Sequence, residues 1–321
     1  MRGAKIVAWA ILLYSTALCA DLTCAQSFPQ RLVRIVTTEP GGGGDFASRL
    51  IAQGLSANIG QQVIVDNRGG GAISIETVAK APPDGYTLLL YGSNLWLLPF
   101  MRENLPYDPV KDFAPITLAA RSPNILVVHP ALPVKSVREL ITLAKARPGE
   151  LNYSITGIGN SVHVAGEMFK SMAGVNIMRI PYKGTAPAIS DLIGGQVQLM
   201  FGVPAAVMQH VRSGRLRALA VTSAQPSALA PDLPTVAEGG VPGYESVAML
   251  GIFAPARTSE AVVQRLNREI ALVINQPNVK AQFLNTGVEG VGNSAEDFAA
   301  VVKSEMVRLG KVIKNAGIRA D

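Results

Sequence analysis

Charge is scarce in this chain of 321 residues: Asp, Glu, Lys and Arg make up 16% of it, against about a quarter of an ordinary globular domain. Cysteine is nearly absent, with only Cys19 and Cys24, both close to the N-terminus. The three histidines, His129, His163 and His210, form no H-E-x-x-H pattern, so no metal site is legible. Aromatic residues are few at 6%, and no basic run exceeds two residues. The basic stripe interleaved with aromatics that reads nucleic acid is therefore missing, and no nucleic-acid partner is expected. The net charge of +6 describes a scattered, solvated surface. No G-x-S-x-G elbow and no Walker Lys-Ser/Thr occur, and no internal repeat of solenoid or propeller length is present. What the chain does have is apolar residues, 48%, with 31 Gly and 21 Pro to punctuate them. That combination excludes disorder, and the length suggests about two domains.

The N-terminus carries a leader. Arg2 and Lys5 precede the uncharged apolar run Ile6–Leu18, and Thr23-Cys24-Ala25 offers small side chains before a cut ahead of Gln26. This is the order of a secretory signal peptide, residues 1–25. Only 15 residues separate Lys5 from Asp21, short of the ~20 that span a bilayer. Cleavage would remove both cysteines, so no disulfide supports the fold. It would leave 27 basic and 22 acidic residues, a net of +5. No later apolar run reaches the length of a membrane span, and the mature chain reads as soluble and exported.

Beyond the leader, β-branched runs alternate with amphipathic stretches. Strands are expected at Arg34–Thr38, Val63–Asp66, Tyr86–Tyr91, Ile125–His129, Leu151–Ser154, Asn176–Ile180, Gln196–Phe201 and Arg217–Thr222. Helices are expected at Phe46–Ile59, Ile73–Lys80, Ser136–Arg147 with Ser136 as N-cap, Ser161–Ala173, Thr185–Ile193 and Ala205–Arg212. The last third is helical, at Ser259–Asn275, Val279–Asn285 and Ala295–Lys314. Such alternation implies an α/β fold with mainly parallel sheets and helices on both faces. Ligands in these folds gather beyond the carboxyl ends of strands, which makes each strand-to-helix loop a candidate.

One such loop is Pro40-Gly41-Gly42-Gly43-Gly44-Asp45. Without Cβ atoms its N–H groups can approach a ligand, and the following helix N-terminus favours an anion. A plain tight turn is the other reading. Gly42, Gly44 and Ala47 fit the loosest dinucleotide fingerprint, but Asp45 would crowd a pyrophosphate, and as an N-cap it would serve the helix instead. A second loop, Thr156-Gly157-Ile158-Gly159-Asn160-Ser161, adds glycines, hydroxyls and an amide at a helix start. Ser161 and His163 are two residues apart and face different sides of a helix, so they are not a nucleophile and base. His163 reads either as a satisfied, partly buried helix residue or as a hydrogen bond to the ligand. Tyr91-Gly92-Ser93-Asn94 and Pro181-Tyr182-Lys183-Gly184-Thr185 close two further strands. Four loops rich in neutral donors suit the binding of a small anion without chemistry, with no enzyme activity and no cofactor.

Across nearly its whole length the sequence resembles the Bug/TctC-type extracytoplasmic solute receptors of tripartite tricarboxylate transporters. The matching residues include Pro40-Gly41-Gly42 with Asp45 and Arg49, Val65-Asp66-Asn67-Arg68 with Gly71, Pro83-Asp84-Gly85-Tyr86-Thr87-Leu88 and Leu105-Pro106-Tyr107-Asp108-Pro109. Pro181-Tyr182-Lys183-Gly184, Ser213-Gly214, Leu216–Val221 and Ala316-Gly317-Ile318 follow in the same order. The resemblance implies a two-domain periplasmic-binding-protein (Venus-flytrap) fold with a ligand cleft between the lobes. Domain 1 would comprise residues 26–122 plus 250–321 and domain 2 residues 123–249, with crossings near Leu118–Ile125 and Ser246–Phe253. It implies a monomeric receptor that captures a small carboxylated metabolite by hinge closure and delivers it to a membrane permease. A receptor feeding a signalling partner, or a secreted α/β enzyme, would be the alternatives. Carried over residue by residue, the contacts would be Gly42, Gly43, Gly44, Asp45, Ser93 and Asn94 from the first domain. The second would supply Thr156, Gly157, Gly159, Ser161, His163, Tyr182, Lys183, Gly184 and Val203. The chain departs from the family at Thr38-Glu39, where an aromatic residue followed by Pro or Ala is usual, and at Met249, where Trp is frequent. It departs again at Gly202-Val203, where an Asp that could pair a ligand ammonium is common. That last change argues against an amino-acid ligand.

Overall fold

The computed structural model describes residues 28–69, 72–157 and 159–319. The expected leader lies outside them, and so does Gly71 of the family motif. In chain order the elements begin with strand β1 (Val33–Thr37), helix α1 (Gly43–Ile59), β2 (Val63–Asn67), α2 (Ala72–Ala79), β3 (Thr87–Gly92) and the single turn α3 (Asn94–Leu97). Next come β4 (Phe113–Pro123), β5 (Ile125–Val128), α4 (Val137–Ala146), β6 (Asn152–Ile155), α5 (Ser161–Ala173) and β7 (Met178–Pro181). Then follow α6 (Thr185–Ile193), β8 (Leu199–Gly202), α7 (Pro204–Arg212), β9 (Arg217–Val221) and β10 (Val247–Pro255). The chain closes with α8 (Glu260–Ile274), α9 (Pro277–Asn285), β11 (Glu289–Gly290) and α10 (Ala295–Asn315).

These strands form two sheets, one ordered β11-β4-β10-β3-β1-β2 and the other β7-β6-β8-β5-β9. Strands joined through helices run parallel, as the alternation predicts: β1 with β2 and β3, and β6 with β7 and β8. The expectation of mainly parallel sheets holds only for these. β10 runs antiparallel to both β3 and β4, and β5 runs antiparallel to β8 and β9. The cause is that β4 enters β5 through Asn124 alone, so the chain passes from one sheet to the other without a helical crossover. The segments the sequence suggests only as crossings are therefore long strands, β4 with 11 residues and β10 with 9.

Each sheet buries both faces. One apolar cluster runs continuously from Trp96, Phe253 and Phe298 under the first sheet to Tyr153, Phe169 and Phe201 under the second. Two further clusters cover the opposite faces, around Ile51, Leu55 and Ile270 and around Ile189, Leu192 and Val207. Trp96 is fully buried with its ring centroid 6.1 Å from Phe253 and 6.2 Å from Phe298. Gly251 is required there, because a Cβ would stand 2.2 Å from Phe298 Cζ. The predicted N-cap Ser136 accepts from the Glu139 N–H at 3.2 Å, and Glu139 Oε2 accepts from the Lys135 N–H at 2.7 Å. The cap satisfies orphan donors in the manner of a capping box. No helix among the described residues is long and apolar enough to cross a membrane, and no group of His, Cys, Asp and Glu among them could hold a metal.

Candidate ligand-binding cleft

A cavity of about 290 Å³ opens between the carboxyl end of β3 and the N-terminus of α5. Its floor is the antiparallel pair β4 and β10, in which Ala120, Arg121 and Ser122 stand opposite Leu250, Met249 and Ala248. One wall is Gly92, Ser93 and Asn94, the other Asn160 and Ser161. Local sequence explains the first wall. Leu95, Trp96 and Leu97 are buried and anchor α3 in the core, which leaves Ser93 and Asn94 at the surface of the cleft. The Ser93 N–H also donates to the Met249 carbonyl at 3.0 Å, fixing the turn to the floor.

The second wall is held from several sides. Asn160 caps α5: its Oδ1 accepts from the His163 N–H at 3.0 Å and its Nδ2 donates to Thr156 Oγ1 at 3.0 Å. His163 Nδ1 accepts from the Gly159 N–H at 3.0 Å, and Asn124 Nδ2 donates to the Ser161 carbonyl at 3.2 Å. The Ser161 and Val162 N–H groups have no acceptor within the helix, and they sit at its partially positive end.

Arg121 supplies the cation of the cavity. Its Nε donates to Glu289 Oε2 at 3.0 Å, and no other described residue engages its guanidinium. Glu289 is fixed in turn by the Ser227 hydroxyl at 2.5 Å and the Ala228 N–H at 3.1 Å. One half-exposed guanidinium with free N–H groups, beside neutral hydroxyls, amides and a helix N-terminus, can take a carboxylate with two parallel hydrogen bonds. It offers no nucleophile or base.

Of the fifteen residues expected at the site, Ser93, Asn94 and Ser161 line this cavity. The glycine loop stands at the carboxyl end of β1, beside β3 on the same edge of the sheet. Its four glycines answer to different demands. Gly41 adopts φ +82°, and a Cβ on Gly44 would lie 3.0 Å from Thr37 Oγ1. Gly42 and Gly43 are exposed, and around Gly43 a Cβ would meet nothing within 4 Å. Neither conformation nor packing demands glycine at those two positions.

Asp45 is not the N-cap that the sequence suggests, because α1 starts at Gly43 with Gly42 as its cap. The carboxylate turns back inside the first turn instead. It accepts from the Gly41 N–H at 2.9 Å, from Asn67 Nδ2 at 2.9 Å and from Arg49 at 2.9 Å. The Gly41 N–H, followed by the Arg49 hydrogen bond, lowers its pKa to about 2. Asp45 shapes the loop.

Thr156 and Gly157 flank the Asn160 amide. Gly159, at φ +76°, packs so closely that a Cβ would stand 2.5 Å from Met101 Sδ. His163 is fully buried, with Nε2 facing Arg179 Nη1 at 2.6 Å. Burial first, and the Arg179 charge second, lower its pKa to about 4. The ring is buried more completely than the sequence suggests. Tyr182 donates its hydroxyl to Asp191 Oδ2 at 2.7 Å, and burial together with that bond raises its pKa to about 12. Lys183 is exposed, while Gly184 at φ +124° and Val203 are the N-caps of α6 and α7. None of these lines the 290 Å³ cavity.

Arg121, Ser122 and Met249 line the cavity without being among the expected contacts, and Asn160 joins them from the second candidate loop. An Asn before a helix is a readable cap signal, whereas Arg121 and Met249 meet only through the pairing of two distant strands. The departure at Gly202 has a packing reason: a Cβ there would stand 2.3 Å from Val207 Cγ1, so Asp does not fit. Glu39 is exposed with its side chain against Gly69, away from the cavity lining.

With this geometry in hand, comparison with known proteins is specific. The profile described as "Tripartite tricarboxylate transporter family receptor" matches residues 47–318. Protein BugT of Bordetella pertussis is 34% identical over 328 residues, covering 99% of each chain. The structure of R. palustris Rpa4515 with adipate is 39% identical with a TM-score of 0.73, over 91% of this chain and 99% of that one. MatC (Rpa3494) from Rhodopseudomonas palustris with bound malate is 28% identical with a TM-score of 0.68, over 89% of this chain and 100% of that one. The two sheets with their flanking helices are the two-lobe periplasmic-binding-protein fold, and these relatives are solute receptors, not enzymes. The chain therefore belongs to the receptor family of the tripartite tricarboxylate transporters, as a solute-binding protein.

Proposed function

We propose that this receptor works in the periplasm after its leader, residues 1–25, is removed, and that it captures a small carboxylate for delivery to a membrane permease. The observation that carries the reading is the convergence of Arg121, the α5 N-terminus, Ser93 and Asn94 on one cavity of about 290 Å³. A cavity of that volume has room for a small carboxylate. The relatives that hold adipate and malate support an acid of this size. The moving units would be residues 26–122 plus 250–321 and residues 123–249, each keeping its own sheet. The receptor acts as a monomer that closes around the ligand. The glycine loop would close on the ligand with the Gly42 and Gly43 N–H groups.

The test is a thermal-shift and calorimetric screen of the mature protein against mono-, di- and tricarboxylates, aromatic acids and amino acids. A true ligand at 100 times its Kd adds about 2.7 kcal/mol to stability. Arg121→Gln should weaken that ligand by about 10- to 100-fold, since a charge-assisted bond contributes roughly 1.5–3 kcal/mol. Its melting temperature without ligand should stay near wild type. Binding of a nucleotide in place of any carboxylate, or full affinity in Arg121→Gln, would sink this reading.

A further inference from the structure

Apart from the cleft, and sharing no lining residue with it, a groove of about 890 Å³ runs between α10 and the segment 100–115. Its walls are apolar: Phe100, Val110 and Phe113 on one side, Val302, Met306 and Val307 on the other. Val307 and Val110, at 72% and 65% exposure, are the two most exposed large apolar side chains among the described residues. A Cβ on Gly310 would stand 2.6 Å from Phe100 Cε1, so glycine at this position lets the phenyl ring lie against α10 and close one end of the groove.

Three lysines border it, Lys303, Lys311 and Lys314. All three are exposed, and none forms an ion pair with a described residue. Lys314 Nζ instead stands 5.4 Å from the Phe100 ring centroid. Together with Val307 they recur at helical spacing on one face of α10, over about 16 Å at 1.5 Å per residue. Nearby acidic residues are already matched: Asp108 pairs with Lys111 at 3.2 Å, and Glu103 faces Arg319 at 3.9 Å.

We infer that this groove docks an amphipathic helix of a partner protein, whose apolar stripe fills the groove and whose flanking Asp and Glu side chains meet Lys303, Lys311 and Lys314. The occupant follows from shape and charge. A lone anionic amphiphile brings one headgroup, whereas the cations are spread over three helical turns. A helix of similar length with acidic flanks matches both features, in the helix-in-groove mode. The inference concerns a surface apart from the cleft and stands whether or not the ligand is a carboxylate.

The experiment uses the full mature chain and two labelled synthetic helices about four turns long. Both carry Leu at i, i+3, i+4 and i+7, one flanked by Glu and the other by Lys, and binding is read by fluorescence anisotropy. The wild type should bind the Glu-flanked helix, more weakly as salt rises. The triple variant K303E/K311E/K314E should lose at least about tenfold in affinity for it and gain affinity for the Lys-flanked helix. Val307→Asp should weaken both. Unchanged circular dichroism and an unchanged small-ligand thermal shift would show that the variants fold. Equal binding of the two helices by wild type overturns the inference. So does a preference for phosphatidylglycerol vesicles, or a dimer in sedimentation that Val307→Asp dissolves.

Discussion

Buried His163 has its two ring nitrogens in unlike company. Nδ1 accepts from the Gly159 N–H, while Nε2 faces the Arg179 guanidinium at 2.6 Å. Both neighbours are donors, so a protonated ring, itself a donor at both nitrogens, fits badly. Burial and then Arg179 lower the pKa to about 4, with Lys170 acting in the same sense and Glu167 against it. The unfolded imidazole titrates near 6.5, so between about 6.5 and 4 the unfolded chain binds more protons than the folded one. Stability is then full above 6.5 and falls as the solution is acidified toward 4, by up to about 3 kcal/mol from this residue. Urea unfolding at pH 7 and pH 4.5 should show a smaller loss in His163→Gln, whose amide oxygen can still accept from Gly159. Equal losses in the two proteins would place the acid sensitivity elsewhere. Residue type and helix position made His163 visible in the sequence, with partial burial as one reading, but not its Arg179 neighbour. Arg121 was illegible for a different reason: its place in the cleft depends on β4 lying against β10, a pairing between segments more than a hundred residues apart.

At the scale of elements, the loop from β1 into α1 separates two uses of glycine. Gly44 serves packing against Thr37, whereas Gly43 opens onto free space. Gly44→Val should cost about 1–3 kcal/mol through overpacking, with affinity reduced only as the fold suffers. Gly43→Val should leave the melting temperature close to wild type and weaken the ligand at least about tenfold, the cost of a neighbour removed from hydrogen-bond reach. Calorimetry on both variants decides, and wild-type affinity in Gly43→Val would make the run a plain turn. Local pattern revealed most of the elements. Helix periodicity, the Ser136 cap and the β-branched runs fall within a few residues of their positions in the fold. Pattern did not reveal β4 and β10 as strands, because both are buried over much of their length and show little alternation. The start of α1 was misplaced because Gly-Gly carries no helical signal.

For the whole molecule, the passage between sheets is narrow and stitched. Asn124 donates its N–H to Thr222 Oγ1 at 2.7 Å, and Thr222 donates its N–H to the Asn124 carbonyl at 2.9 Å. Thr222 Oγ1 in turn donates to the Ser246 carbonyl at 2.6 Å. Around this joint the two parts meet again where Gly159 packs on Met101. If that contact belongs to the closed form, saturating ligand should lower the radius of gyration in X-ray scattering from a value near about 19 Å. Gly159→Ala, whose methyl group collides with Met101, should show a smaller drop. An unchanged radius on ligand addition would rule out hinge closure.

The strand order also permits the two sheets to be completed in a particular sequence. β4 pairs only with β10 and β11, both encoded far downstream, whereas all five strands of the other sheet lie between Ile125 and Val221. A chain emerging from its N-terminus can therefore finish the second sheet while the first still waits for its central strand, with the 11 residues of β4 unpaired. The part of the protein that begins later can thus be completed earlier, which leaves the edge of β4 open to wrong partners until β10 arrives.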